Sequence, residues 1–93
     1  MSEVSIREQV RCLEEMVDYL KGYCNAMEES IDELNKSMKV LKADELTTEF
    51  EEFYEQEYFK RTKTLTDQVV GDITYGHIRY LNEVIEKLRE MID

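Results

Sequence analysis

Residues 6–41 read IREQVRCLEEMVDYLKGYCNAMEESIDELNKSMKVL, and this stretch decides the fold. Its apolar positions are Ile6, Val10, Leu13, Val17, Leu20, Cys24, Met27, Ile31, Leu34, Met38 and Leu41. The steps alternate four and three without a slip, which is the a/d seam of an amphipathic helix with a period of 3.5 residues. One helix over about residues 3–42 follows, roughly 60 Å long at 1.5 Å per residue. Gly22 lowers helix propensity by about 1 kcal/mol, too little to break so regular a seam. Met16 and Tyr23 each lie one position before a seam residue and widen the apolar stripe.

Beyond Leu41 the seam stops. Leu41-Lys42-Ala43 shapes a turn over about 42–45, and Asp44 can act as an N-cap for a second helix with Glu45 in its first turn, Thr47 and Thr48 being alternative caps. The second helix is expected over about 45–92. It opens with Asp44, Glu45, Glu49, Glu51, Glu52, Glu55 and Glu57, with no base among them, interleaved with Phe50, Phe53, Tyr54, Tyr58 and Phe59. Lys60, Arg61 and Lys63 then reverse the sign of charge. Leu65, Val69, Val70 and Ile73 resume an apolar face, and Ile78, Leu81, Ile85, Leu88 and Ile92 form a second three-four seam. Gly71 and Gly76 stand between these runs and mark a break, a kink or a close helix approach. The short connection makes the two helices antiparallel, so the expected fold is all-α, one two-helix hairpin domain over 1–93.

Composition agrees with a helical protein and narrows the function classes. The 93 residues contain no proline and three glycines, too few of either for a turn-rich β-fold. Twenty-two acidic residues against twelve basic ones give a formal net charge of −10, which is no footprint for nucleic acid. No run approaches the ~20 apolar residues of a membrane span. The start, Met-Ser-Glu-Val-Ser-Ile-Arg-Glu, has no basic region followed by an apolar one. The expected location is therefore cytoplasmic as synthesised, with any secretion by a route lacking a cleaved signal. Cys12 and Cys24 sit about 18 Å apart on one helix, beyond disulfide reach, and read as reduced thiols, one packed and one on the surface.

Catalysis finds no support. His77 is the only histidine, and Thr74 three residues before it rules out the Glu-x-x-His of a di-iron bundle. No nucleophile elbow, EF-hand loop or phosphate-binding glycine loop is present. The expectation is no enzyme, no catalytic residue, no metal and no cofactor. The surplus of apolar groups points to binding instead. A lone hairpin has one seam, and Met16, Tyr23, Phe53, Tyr54, Tyr58, Phe59, Tyr80 and Val84 fall outside it. Covering one large side chain is worth ~1.5–3 kcal/mol, so a second hairpin alongside, completing a four-helix bundle, is the expected solution. The expected partner-binding residues are Met16, Tyr23, Phe50, Phe53, Tyr54 and Tyr58.

The layout resembles the Trp-x-Gly family of small helical-hairpin proteins moved by type VII secretion systems. Leu41-Lys42-Ala43 stands where that family has its Trp-x-Gly turn, and Leu46 and Phe50 stand where it has hydrophobic residues early in the second helix. This chain has no tryptophan, and no tyrosine is followed four positions on by an acid, as the family's export signal requires. The resemblance is therefore to a divergent member, or to the small helical partners of Leu-x-Gly toxins. It implies a chain that packs against a toxin's helical targeting domain as one half of a secretion-competent complex, sharing the export signal. Two further readings use the same residues. One is an intracellular homodimeric helical adaptor. The other is a small acidic antitoxin or immunity-type protein that binds a basic surface through residues 44–59.

Overall fold

A computed structural model describes residues 3–42 and 44–92, and among these every regular element is helical. The fold is an all-α helical hairpin. Helix α1 spans Glu3–Val40. The backbone N–H groups of Leu41 and Lys42 then donate to Met38 O at 3.0 Å and Lys39 O at 3.3 Å, tightening the last turn. Leu41 is half-buried there. Ala43, the other residue expected to shape the turn, lies outside the described residues.

Asp44 starts the return. Its backbone is extended (φ −144°, ψ 175°), and its Oδ1 accepts from the Thr47 backbone N–H at 2.9 Å and from the Thr47 hydroxyl at 3.0 Å. The chain then runs without interruption through α2 (Glu45–Tyr54), a π-helical segment (Glu55–Phe59), α3 (Lys60–Asp72), a second π-helical segment (Ile73–Ile78) and α4 (Arg79–Glu90). The flanking dihedrals stay helical on both sides of each π segment.

The π segments have a sequence cause. On the covered side of the return arm the apolar residues step by five at two places, Tyr54 to Phe59 and Ile73 to Ile78. An α-helix serves steps of three and four only, so a five-residue step needs one extra residue in the turn. The backbone supplies it: Lys60 N–H donates to Glu55 O, five residues back. Of the roles expected of the glycines at 71 and 76, two are not seen: a break and a close helix approach. The helix does not break, neither glycine has a positive φ, and a Cβ at either would meet nothing within 4 Å.

The chain divides into two compact units. The first comprises residues 1–24 and 70–93. Its core is Ile6, Val10, Val17 and Cys24 with Ile73, Ile78 and Ile85, all buried. Its two arms are antiparallel: Leu13 lies beside Val84 and Leu88, Val17 beside Ile85, and Leu20 beside Gly76 and Leu81. Arg89 donates to Glu14 Oε1 at 3.1 Å across the pair, a half-exposed bridge worth at most ~1 kcal/mol. Aliphatic burial therefore dominates this unit. Cys24 is buried and Cys12 exposed, both as free thiols.

The second unit comprises residues 25–69. Its buried apolar residues are Met38 and Phe59, with Met27, Ile31, Leu34 and Leu41 half-buried. Phe59 is thus covered by its own chain, and this corrects the expectation that it seeks a partner; Val84 in the first unit is half-covered as well. Among the described residues no helix is long and apolar enough to cross a membrane.

Truncation of Ile85 to Ala removes a fully packed aliphatic group. It should lower unfolding free energy by ~2–5 kcal/mol in a urea titration followed by circular dichroism. The Asp44 cap gives a pH signature. The Thr47 backbone hydrogen bond, and then the Thr47 hydroxyl, hold the Asp44 carboxyl below its ordinary value. Its stabilising effect is therefore complete above the ordinary carboxylate value and lost as pH falls through the lowered one. The stability gap between the native chain and Asp44→Ala should shrink between about pH 6 and about pH 2 in thermal melts.

Candidate interaction surface

Each unit carries its own apolar surface, and a π segment contributes to both. On the second unit the surface is a row of rings along α2 and the first π segment. Phe50 stacks on Tyr54 with ring centroids 6.2 Å apart, and Tyr54 stacks on Tyr58 at 5.8 Å. Phe53 meets Tyr58 edge to face at 6.3 Å. Phe50, Phe53 and Tyr58 are exposed and Tyr54 is half-buried. Leu46 continues the row one turn earlier and is more exposed still. These four rings, expected from the sequence to bind a partner, are brought together in one stripe.

The covered face of α2 explains why that stripe is bare. It carries Thr47, Thr48, Glu51, the half-buried Tyr54 and, at the start of the π segment, Glu55. Successive helical residues are about 100° apart, so Glu51 turned inward leaves Phe50 turned away. The covered side of α2 is mainly polar, and its exposed side mixes Leu46, Phe50 and Phe53 with Glu45, Glu49 and Glu52, unlike the usual amphipathic arrangement.

Glu51 is the extreme case, with 0% of its surface exposed. Lys42 Nζ lies 3.5 Å from its Oε2 as an ion pair, and neither carboxyl oxygen has a hydrogen-bond partner among the described residues. Burying a carboxyl group on such terms is unfavourable. No sequence signal separates Glu51 from its acidic neighbours.

On the first unit the surface is a cleft of about 560 Å³ between α1 and the second π segment with the start of α4. Met16, Tyr19 and Leu20 form one wall and Gly76, His77, Tyr80 and Leu81 the other. Met16, Tyr19 and Tyr80 are all exposed. Gly76 leaves the cleft open at a point where a side chain would project. Of the expected partner-binding residues on α1, Met16 (47% exposed) lines this cleft, and Tyr23 (56% exposed) is bare but outside the lining. Tyr19 and Tyr80 extend the surface beyond those expected residues.

His77 is exposed, and among the described residues no group of His, Cys, Asp or Glu side chains is placed to hold a metal ion. What the two surfaces can do is bind through contact area. Aromatic side chains offer about 150–250 Å² each, and tyrosines keep a hydroxyl in water while the ring is covered. Comparison of the chain with protein-family models, curated proteins and solved structures finds no match.

The exposure pattern separates rings that stand in water from rings that hold the fold. Phe53→Ala and Tyr58→Ala should each change stability by less than ~1 kcal/mol, because both rings already stand in water. Phe59→Ala should cost ~3–5 kcal/mol. Chemical denaturation of the three variants checks the split.

Proposed function

We propose that this chain is a non-enzymatic helical partner protein. It lays its exposed apolar faces against a helical domain of another protein, completing a four-helix arrangement that neither chain forms alone. The observation that carries the reading is the orientation of α2, with Phe50, Phe53 and Tyr58 in water and Thr47, Thr48 and Glu51 covered. Each large apolar side chain left in water forgoes ~1.5–3 kcal/mol that a partner would recover. Buried aromatic groups are the usual anchors of such interfaces.

The reading is similar to the role of the small type VII secretion hairpins. There a partner of this size packs on a toxin's targeting domain and helps deliver it to the export machine. The hairpin fold, the turn at Leu41 and the apolar residues Leu46 and Phe50 early in the return arm support that likeness. Secretion of the complex is part of the proposal.

The test is solution mass by light scattering, for the chain alone and co-expressed with the product of the neighbouring gene. The expected result is a stable complex with the second product, larger than the 11.1 kDa chain. Phe53→Ala and Tyr54→Ala should each weaken it by ~2–4 kcal/mol. A monomer in both preparations overturns the reading, and a homodimer that needs no second product favours the adaptor alternative.

A further inference from the structure

We propose that the occupant of the α2 ring stripe is a cationic amphipathic helix and not a second copy of this chain. The inference rests on the partner-protein reading and narrows it to one chemistry.

The stripe has the dimensions of a helix contact. From Leu46 to Tyr58 it runs about 18 Å, between three and four helical turns. Apolar groups at positions 46, 50, 53 and 58 form a narrow row, which is what a partner helix reads with its own i, i+3, i+4, i+7 residues.

Charge decides which helix. Glu45, Glu49 and Glu52 follow each other at helical spacing along one edge of the ring row, all exposed and none in an ion pair among the described residues. No base lies between Asp44 and Phe59. The nearest bases are engaged elsewhere: Lys42 with Glu51, Lys60 with Gln56 at 3.1 Å, and Arg61 with Glu57 at 3.8 Å. The three carboxylates span about 10 Å, close to the Debye length at physiological salt, so they act on a docking helix together.

A second copy would bring an identical acidic row against this one, and like charges across an interface suppress the pairing. A helix with Lys or Arg beside its apolar row meets both features at once. Its cationic heads reach the carboxylates while its stems lie over the rings, where the ring faces also attract cations.

The test titrates the full chain into fluorescein-labelled helical peptides of about 18 residues, with leucine at i, i+3, i+4 and i+7 and lysine, glutamine or glutamate elsewhere. Fluorescence anisotropy should show the lysine peptide binding roughly tenfold or more tighter than the glutamine peptide in about 50 mM salt, with the glutamate peptide weakest. In about 500 mM salt the gap should close. The double variant Glu49→Lys/Glu52→Lys should abolish the preference for lysine. Glu28→Lys/Glu29→Lys makes the same change in net charge at an exposed site on α1 and should preserve it.

The double variant Phe53→Ala/Tyr58→Ala should weaken every peptide. Equal binding of the lysine and glutamine peptides, or loss of the preference in Glu28→Lys/Glu29→Lys, overturns the cationic occupant while the partner-protein reading stands. Peptide binding that ignores Phe53→Ala/Tyr58→Ala overturns both. A dimer of the native chain that this ring variant dissolves puts a second copy on the stripe and also overturns the inference.

Discussion

The structure depends on matching the phase of two arms with different sequence periods. The outgoing arm keeps an unbroken four-three rhythm from Ile6 to Leu41. The return arm does not: its covered residues jump by five between Tyr54 and Phe59 and again between Ile73 and Ile78. A uniform α-helix would carry each later residue about 100° out of place, and Ile78 and Ile85 would leave the core. The π segments absorb one residue at each jump, so that Ile73, Ile78 and Ile85 are all buried in the same unit. The core of the first unit exists because that adjustment is made.

The same requirement accounts for the bare rings. Asp44 fixes where α2 begins, through its extended backbone and its bonds to Thr47, and Phe59 fixes where the first π segment ends, by being buried. Between these points the helix has no freedom to turn Phe50 and Phe53 inward, and Thr47, Thr48 and Glu51 occupy the covered side. The second unit is consequently held by Met38, Phe59 and half-covered aliphatic groups rather than by Phe50, Phe53 and Tyr58. Those rings stack on one another in water. Surfaces of this kind on single chains mark sites of association.

Much of this is legible in the amino-acid sequence. The four-three seam of α1 requires a long helix, and Asp44, Thr47 and Thr48 are the candidate caps of a second one, of which the structure uses Asp44. The surplus of rings between Phe50 and Tyr58 follows from counting apolar groups against the width of one seam. Three features are not legible in the same way. The five-residue steps are present in the sequence, but Gly71 and Gly76, each two residues before Ile73 and Ile78, are the more conspicuous signal of irregularity. Phe59 resembles its aromatic neighbours, and only the extra residue in the π segment rotates it inward while Tyr58 stays out. Glu51 is chemically the same as the other acids of α2, since its burial follows from helix phase and not from its side chain.

Helix α3 has no buried residue along Lys60–Asp72. Leu65 is mostly in water, and Thr66 and Val70 are only half-covered. Backbone hydrogen bonds in such a stretch are guarded by little besides helix propensity, so local opening there is cheap and its amide protons exchange ahead of those in the aliphatic core. Residues 60–69 of this helix belong to the second unit and 70–72 to the first, so the chain passes from one unit to the other within its most thinly covered stretch.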